Sequence, residues 1–593
     1  MSNDHSDYSG FEQVMNMMPN RSGFTKRATS MHRFFGFAVF ALMLICPPGL
    51  LVAQPVVTMY DELVELYPDT VFHQGSDTLM VDAARGSYAG VHLLLTGLNL
   101  GAIIRSKVLQ SGRAVREASW YRMIDVPVEE NTGLDSRTEK FSGQKNPYVI
   151  RKAPFRIFEA LDPITSPMKV DKATIALRLE IPLKRNSAAG KREYTIMLEI
   201  GTGKYPMDLV VNVHKAIVPA PKQSAISYVN WHSLGNICAD HNVTLWSEPF
   251  WRMLGKYAKL MARGRQNAFR VLWNEFIECD STGKVTAFHR KRLERYVKVF
   301  MDAGLRTIQG GPFAGRENWS TDAMYVVPQQ YRIPATSERG RKLIVAMAAR
   351  LYPTMKANHW LNRWVQGVFD EPTDEYADRY KQVVELFREC MPGIRIIEAT
   401  MTDKLPGYID ILCPQVQEYQ KNREFYDKRK GAGDRVWVYT CLVPGGPWLN
   451  RLLDQERLRQ VWFGWACAKY GLDGYLHWGF NFHRGGQNPF DQSVIRHSDG
   501  RENSFLPAGD THIIYSKKTG PISGQRFEAI RIGMEDHELL KQLEASDSAK
   551  AAAIINSVVR AFDDYSKNVS EYRQAKRSLL ESLDEARGKR QRK

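Results

Sequence analysis

Cysteine is scarce in this sequence. The chain has 7 cysteines in 593 residues, too few for a small domain framed by disulfides. No pair among those beyond the N-terminal apolar segment has zinc-site spacing, and most lie in apolar runs: Cys238, Cys279, Cys390, Cys413, Cys441 and Cys467. We therefore expect buried free thiols, no metal site and no cofactor, although export of the protein would permit a disulfide.

Long hydrophobic runs are also nearly absent. The one such run, residues 34–52, follows a basic residue and precedes Ala53, a pattern typical of a secretory signal peptide. A start at Met31 would give this signal a compact beginning, and Cys46 lacks the small preceding residue of a lipoprotein. We expect residues 1–53 to be a signal peptide, no membrane span after its cleavage, and a periplasmic or secreted protein.

The composition indicates neither a disordered chain nor a chain of extreme net charge. It is 44% hydrophobic and 25% charged, and its 81 basic and 65 acidic residues give a net charge of +16. These values are typical of a globular protein with room for two or three domains. Part of the basic excess lies in the tail at 587–593, so a solvated basic surface is favoured over a nucleic-acid partner. The oligomeric state stays open.

Residues 55–218 show the two-residue period of half-buried strands. Apolar side chains alternate with polar ones over residues 175–181 and 194–200, and again at 209–213. This pattern predicts an antiparallel β-sandwich domain. The proline-rich segment 219–221 then indicates a stiff linker.

Beyond the linker, short apolar runs alternate with segments of helical period. The helix that opens at Ser247, for example, places Phe250, Leu254, Tyr257 and Met261 on one face. The eight runs that read as strands are 226–231, 268–273, 305–308, 364–369, 394–398, 409–413, 436–441 and 474–478. This order predicts a (β/α)8 barrel over residues 225–505. No glycine-rich phosphate loop follows a strand, which excludes a nucleotide-binding open sheet, and residues 506–593 are expected to be mostly helical with a basic tail.

Two adjacent carboxylates, Asp370 and Glu371, end the fourth predicted strand. Acids at the carboxyl end of a buried parallel strand are costly unless they face an open cleft, and active sites of such barrels lie at that end. The alternative is an acidic N-cap for the helix beginning near Asp374. The position among the other strand ends favours a catalytic pair.

Other strand ends carry residues that suit a sugar ligand. Aromatic rings stack on the C–H faces of sugars, and amides and carboxylates bind hydroxyls. The candidate substrate-binding residues are Trp478, Asn481, Asn274, Trp273, Glu275 and His232. Each also has a structural interpretation: a packing residue at the barrel rim, a loop histidine with its hydrogen bonds satisfied, or a surface acid.

Three separated segments resemble glycoside hydrolase family 123 and its wider DUF4091 relatives. They are VFDEP at 368–372, DGYLHWGFN at 473–481, and 509–536 with its RFEAIRIGMED stretch. The resemblance covers about residues 227–543, and the long basic helical tail departs from the family. It implies a β-sandwich followed by a catalytic barrel, and an exo-acting β-N-acetylgalactosaminidase that takes a glycan substrate.

The resemblance also implies roles for the adjacent acids. Glu371 would be the general acid that protonates the glycosidic oxygen, and Asp370 would orient the substrate's own 2-acetamido group as it forms an oxazoline. Two alternatives stay open: a non-catalytic glycan-binding protein, or a glycosidase of other sugars with Glu275 or Glu418 as nucleophile. The charged residues of the 526–536 stretch recur at helical spacing, which predicts a structural ion network.

Overall fold

The computed structural model describes residues 54–70, 75–135, 137–316, 323–484, 486–496 and 505–591. The predicted signal peptide at 1–53 lies outside the described residues, as do the alternative start at Met31 and Cys46. Within these ranges, no helix is both long and apolar enough to cross a bilayer. The six cysteines that they contain are all free, and three of them, Cys413, Cys441 and Cys467, are buried.

Two β-sheets form the N-terminal part. Their strands are β1 Val56–Asp61, β2 Thr78–Arg85, β3 Ser87–Thr96, β4 Ile103–Gln110, β5 Arg113–Ala114, β6 Ser119–Val128, β7 Phe155–Ile164, β8 Met168–Lys169, β9 Ile175–Leu183, β10 Gly190–Ile200 and β11 Gly203–Ile217, with one helical turn, α1 Glu139–Ser142. One sheet has the antiparallel order β1-β3-β9-β6-β7 and the other the order β2-β11-β10-β4-β5. The expectation of purely antiparallel sheets is wrong in one place, because β2 pairs with β11 in parallel.

The two sheets share one apolar core. It contains Val91 and Leu177 from the first sheet and Ile196 and Val211 from the second, all fully buried. Alternation along each strand sends these side chains inward and the polar ones outward. This packing accounts for the two-residue period seen in the sequence.

Eight parallel strands then form a nearly closed barrel. The strands of this part are β12 Ser227–Asn230, β13 Ala268–Val271, β14 Ile277–Cys279, β15 Val285–Phe288, β16 Thr307–Gly310, β17 Ala314–Gly315, β18 Tyr325–Val326, β19 Trp364–Gln366, β20 Arg395–Ala399, β21 Ile411–Cys413, β22 Arg435–Thr440 and β23 Gly474–His477. The barrel order is β12-β23-β22-β21-β20-β19-β16-β13, which contains the eight predicted strands. Asn267 bridges the remaining gap between β12 and β13, because its backbone N–H donates to Tyr228 O at 3.1 Å and its Nδ2 to Ile226 O at 2.8 Å.

Helices cover the outside of the barrel. They are α2 Leu234–His241, α3 Glu248–Arg263, α4 Arg290–Ala303, α5 Glu338–Ala357, α6 Ala377–Cys390, α7 Val416–Lys421, α8 Arg423–Gly431 and α9 Arg457–Tyr470. In α3, Ser247 caps the first turn by accepting from Phe250 N. The face with Phe250, Leu254, Tyr257 and Met261 is fully buried, as its 3.6-residue period predicts.

The C-terminal part is mostly helical, as expected, and packs beside the barrel. It contains β24 Ile495–Arg496, β25 Phe505–Leu506, β26 Tyr515–Lys517, β27 Gly520–Ile522, α10 Gln525–Glu544, α11 Ser548–Val558 and α12 Val569–Gln591. Helices α9 and α10 cross closely at Gly464 and Gly533, where an added Cβ would meet backbone atoms at 1.9 and 2.1 Å. Glycine is required there because the two backbones touch.

A buried ion network joins α10 to the β-sandwich. Arg526 Nε lies 2.8 Å from Glu159 of β7, and Arg531 pairs with Glu528 and Glu535 at 2.7 and 3.0 Å. All five side chains are buried. The prediction that these charged residues form a structural network is confirmed.

Candidate active site

The carboxyl ends of the barrel strands surround a cavity that is lined in part by Asp370. Its wall includes Trp231, Arg270, Gln309 and Glu398. Strand β19 ends at Gln366, and the chain then reaches Asp370 at the mouth. The parallel order places all eight carboxyl ends on this side of the molecule.

The backbone at Glu371 has an unusual conformation. Its φ of 49° lies in the left-handed region, which few residues other than glycine adopt and which costs of order 1–3 kcal/mol. Arg316 holds it, since its Nη2 donates to the carbonyl oxygens of Asp370 at 2.5 Å and Glu371 at 2.8 Å. The guanidinium itself lies 4.9 Å from the ring centre of Phe369. The two carboxylates therefore lie on a strained turn, and the hydrogen bonds from Arg316 hold that turn in place.

The carboxylate of Glu371 is poised between its two protonation states near neutral pH. Burial and the adjacent charge of Asp370 raise its pKa to about 7, against a smaller opposing effect of the hydrogen bond from Tyr439. The Tyr439 hydroxyl donates to Glu371 Oε1, and Gln415 Nε2 donates in turn to that hydroxyl at 3.0 Å. A carboxyl group in this state can give up a proton at neutral pH.

Asp370 has a different environment from its neighbour. Burial raises its pKa, while the positive charges of Arg270 and Arg316 favour its ionised form. Arg270 lies on the second barrel strand with its guanidinium 3.8 Å above the Trp231 ring. Two adjacent buried carboxylates cannot both carry a negative charge cheaply. Arg316 favours the ionised form of both acids, whereas Arg270 acts on Asp370 and so favours the negative charge there.

Glu398 supports the turn from behind. Its Oε2 accepts from the backbone N–H groups of Val368 and Phe369 at 3.1 and 3.0 Å and from the Tyr380 hydroxyl at 3.0 Å. Burial raises its pKa to about 8. Glu398 thus fixes the two residues that lead directly into the carboxylate pair.

Trp478 follows directly after β23 and belongs to one apolar cluster with Tyr439, Cys441 and the partly buried Trp231. Its indole Nε1 donates to Asp510 Oδ1 at 3.2 Å. Asp510 is fully buried, and burial raises its pKa to about 7. The C-terminal part therefore fixes the ring of Trp478, which shares an apolar cluster with Tyr439, the residue that donates to Glu371; its contact with substrate stays a prediction.

Asn481 does not face the cavity in this way. Its Oδ1 accepts from Ser233 N at 2.9 Å, its Nδ2 donates to Ser233 O at 3.1 Å, and the residue is 3% exposed. Both ends of the amide are used to join the loop after β23 to the loop after β12. Asn481 therefore has a structural role as a link between the two loops, and its contact with substrate stays a prediction.

His232 and Trp273 point toward the helix layer. His232 Nε2 is 2.8 Å from the Tyr296 hydroxyl of α4, and its ring packs against Phe300. Trp273 is 2% exposed, donates to Gly311 O at 2.5 Å and stacks on Trp364. Both aromatic side chains thus have a structural role in the barrel wall, and their contact with substrate stays a prediction.

Asn274 and Glu275 lie in a short 3-10 turn, Trp273–Glu275, and are partly exposed. Glu275 lies close enough to Tyr296 and Arg292 of α4 to affect their pKa values. Glu418 lies on α7, where it accepts from Asn422 Nδ2 at 3.4 Å. In the described parts of the chain, no group of three or more His, Cys, Asp and Glu side chains could hold a metal ion.

Four residues of the site escaped the sequence reasoning: Arg270, Arg316, Glu398 and Tyr439. Arg270 and Glu398 left a signal, because each is a charged residue inside an otherwise apolar strand. Arg316 comes from a loop with no periodic pattern. Tyr439 is one of several aromatic residues in β22. Its hydrogen bond to Glu371 could be found only from the strand register of the barrel.

Two of three comparisons with known proteins find matches for this chain. The family model "Glycoside hydrolase 123, catalytic domain" matches residues 231–543. A structure of a family 123 glycoside hydrolase from Clostridium perfringens, described in terms of glycolipid glycan hydrolysis, superposes with a TM-score of 0.69 at 14% identity and covers 90% of this chain and 99% of its own. An endo-β-1,4-mannanase from Thermotoga petrophila gives a TM-score of 0.36 at 10% identity, covering 54% of this chain and 78% of its own. No curated protein matches the sequence.

Proposed function

Because the chain belongs to glycoside hydrolase family 123 and is therefore a glycoside hydrolase, we propose that it is an exported exo-glycosidase for terminal β-linked N-acetylgalactosamine or a related 2-acetamido sugar. The reaction retains the configuration at C1 and passes through an oxazoline. The Clostridium perfringens enzyme is described as acting on glycolipid glycans, and we extend that substrate class to this chain.

The adjacency of Asp370 and Glu371 is the observation that carries this proposal. Most retaining glycosidases hold an acid and a separate nucleophile ~5–5.5 Å apart across the scissile bond. Two consecutive residues on one turn suit a different division of labour, in which the substrate supplies the nucleophile. The raised pKa of Glu371 and the arginines beside Asp370 support one protonated and one ionised carboxylate.

In the first step, the Glu371 carboxyl gives its proton to the glycosidic oxygen as the C1–O bond breaks. The acetamido carbonyl oxygen forms a bond to C1, and Asp370 accepts the hydrogen bond of the amide N–H, whose positive charge grows in the oxazolinium ion. In the second step, Glu371 takes a proton from water, which attacks C1 and opens the ring. Glu371 thereby returns to its protonated form.

The aromatic side chains at the mouth support sugar binding. Trp478 is fixed by Asp510 and Trp231 by Gln309, whose Oε1 accepts from the indole at 2.9 Å. Rings fixed in this way can stack on a sugar without losing side-chain entropy on binding. A separate carboxylate nucleophile has less support, because Glu275 lies beside α4 and Glu418 lies on α7.

A panel of aryl β-glycosides tests the proposal. We expect release of the aryl alcohol from 2-acetamido sugars, with the galacto configuration preferred, and little release from the matching 2-hydroxy sugars. Binding of glycans without hydrolysis of any member would favour the glycan-binding alternative. Hydrolysis of 2-hydroxy sugars alone would favour a separate nucleophile.

Export is tested on the native protein. N-terminal sequencing should find a mature chain that begins near Gln54 in the periplasm or outside the cell. An uncleaved cytoplasmic chain would contradict this part of the proposal.

A further inference from the structure

A second cavity lies at the opposite end of the barrel, where the strands begin. We call it the basic pocket, because five cationic side chains line it: Lys222, Arg306, Arg363, Arg395 and Arg435. Among the residues that the structure describes, no carboxylate is part of its lining. Such a cluster of like charges repels itself unless an anion is bound.

Strand register sends two of the arginines into the barrel. Along β22, Arg435 lies two residues before Trp437, which belongs to the apolar cluster inside the barrel. Arg395 has the same relation to Ile397 along β20. Because alternate residues of a strand share a face, both guanidiniums point toward the barrel axis. Charged groups at such positions face the lower opening of the barrel.

The arginines are only partly neutralised by protein groups. Arg435 pairs with Asp473 at 3.1 Å, Arg306 donates to the carbonyl oxygens of Lys222 and Ser224, and Arg395 donates to Asn362 O at 2.8 Å. Burial and neighbouring arginines lower the pKa of Arg306 and of Arg395, against the opposing charges of Glu538 and Asp410. Among these contacts one is with a carboxylate, that of Arg435 with Asp473.

Two of the cations have no such partner. In the part of the chain that the structure describes, the side chains of Arg363 and Lys222 make no hydrogen bond or ion pair. Both are exposed at the rim of the basic pocket. They supply positive charge without any evident role in stabilising the fold.

A buried donor points to a ligand in the same place. The indole of Trp437 lines the basic pocket, is 0% exposed, and its Nε1 has no hydrogen-bond partner. A buried donor without an acceptor costs about 1–3 kcal/mol. The side chains of Ser227 and Thr307 lie in the same wall and can add hydroxyl donors.

We propose that the basic pocket binds a phosphate group, either free inorganic phosphate or the phosphate of a small ester. Guanidinium groups match phosphate oxygens in paired hydrogen bonds, and the Trp437 N–H supplies a further donor at the floor. The site is distinct from the catalytic mouth. Along β22, Trp437 faces the basic pocket, and Tyr439, two residues further on, contacts Glu371.

Calorimetric titration of the full chain with inorganic phosphate, in a buffer free of other oxyanions, tests this proposal. The variant R363Q removes one exposed charge of the pocket and should weaken phosphate binding roughly tenfold or more, because hydrogen bonds to charged groups are strong. The control R350Q removes an exposed arginine of α5 and should bind phosphate as the wild type does. R395Q should weaken binding as well, and W437F should do so while keeping the ring.

Two further arms locate the site and identify its ligand. R270Q removes the arginine of the catalytic mouth and should leave phosphate binding unchanged. Tighter binding of galactose 6-phosphate than of inorganic phosphate would identify an ester as the ligand, and the reverse order would identify the free ion. Equal binding by R363Q and wild type, loss of binding in R270Q, or no phosphate binding beyond that of chloride at equal ionic strength would overturn the proposal.

Discussion

At the level of single residues, the general-acid role of Glu371 requires a proton that its carboxyl group can transfer. The variant E371Q keeps the shape of the side chain but cannot protonate a leaving group. We expect kcat/KM on natural glycans to fall about 10²–10⁴-fold, with a smaller loss on aryl glycosides, whose good leaving groups need little protonation. Steady-state kinetics on both substrate types measures the difference. Small and equal losses of kcat/KM on both substrate types would show that Glu371 is not the general acid.

The pH dependence of the rate follows from the same carboxyl group. A general acid must be protonated, so activity should be present below the Glu371 pKa of about 7 and lost as pH rises through it. The hydrogen bond from Tyr439 lowers that pKa, so Y439F should move the basic limb of the pH–kcat/KM profile to higher pH. Y426F, which removes a hydroxyl from α8, should leave the limb in place. If the basic limb had the same position in Y439F and in the wild type, the limb would not report the titration of Glu371.

At the level of secondary-structure elements, the hydrogen bonds accepted by Glu398 hold the backbone that follows β19 in place. The variant E398A leaves two backbone N–H groups and the Tyr380 hydroxyl without their acceptor, and each costs roughly 1–3 kcal/mol. We expect kcat to fall more than KM rises, because the carboxylate pair loses its position. The variant E398Q, which retains an acceptor oxygen, should recover most of the activity. If E398Q instead damaged natural substrates and spared aryl glycosides, Glu398 itself would take part in proton transfer.

The elements themselves could be predicted from the sequence to a large extent. All eight barrel strands and the α3 face follow from hydrophobic period, because burial on both faces of a parallel strand imposes an apolar run. Asp370 and Glu371 stood out because they interrupt such a run at its end. Whether Asn481 or His232 faces the cavity depends on loop geometry, and no local pattern records it. The parallel pairing of β2 with β11 escaped prediction for a similar reason, since period alone does not give strand direction.

At the scale of the whole molecule, the β-sandwich and the barrel are joined through buried charges. Glu159 of β7 accepts from Arg526 at 2.8 Å and pairs with Arg457 at 3.0 Å. The variant E159Q would leave two buried guanidiniums with reduced neutralisation, and removing one partner of a buried pair typically costs about 3–5 kcal/mol. We expect a clearly lower unfolding midpoint in thermal denaturation. The surface variant E193Q, which loses a pair with Lys191, should melt close to the wild type, and equal melting of E159Q would show that this contact is not needed.

In the mechanism that we propose, the substrate's acetamido group is the nucleophile at this site. The most direct measurement is kcat/KM for aryl N-acetyl-β-galactosaminides whose acetyl group carries zero, one, two or three fluorine atoms. Fluorine withdraws electrons from the carbonyl oxygen, so we expect kcat/KM to fall steeply across the series and the trifluoro compound to react hardly at all. A rate that stays constant across the series, with efficient hydrolysis of the plain β-galactoside, would contradict it.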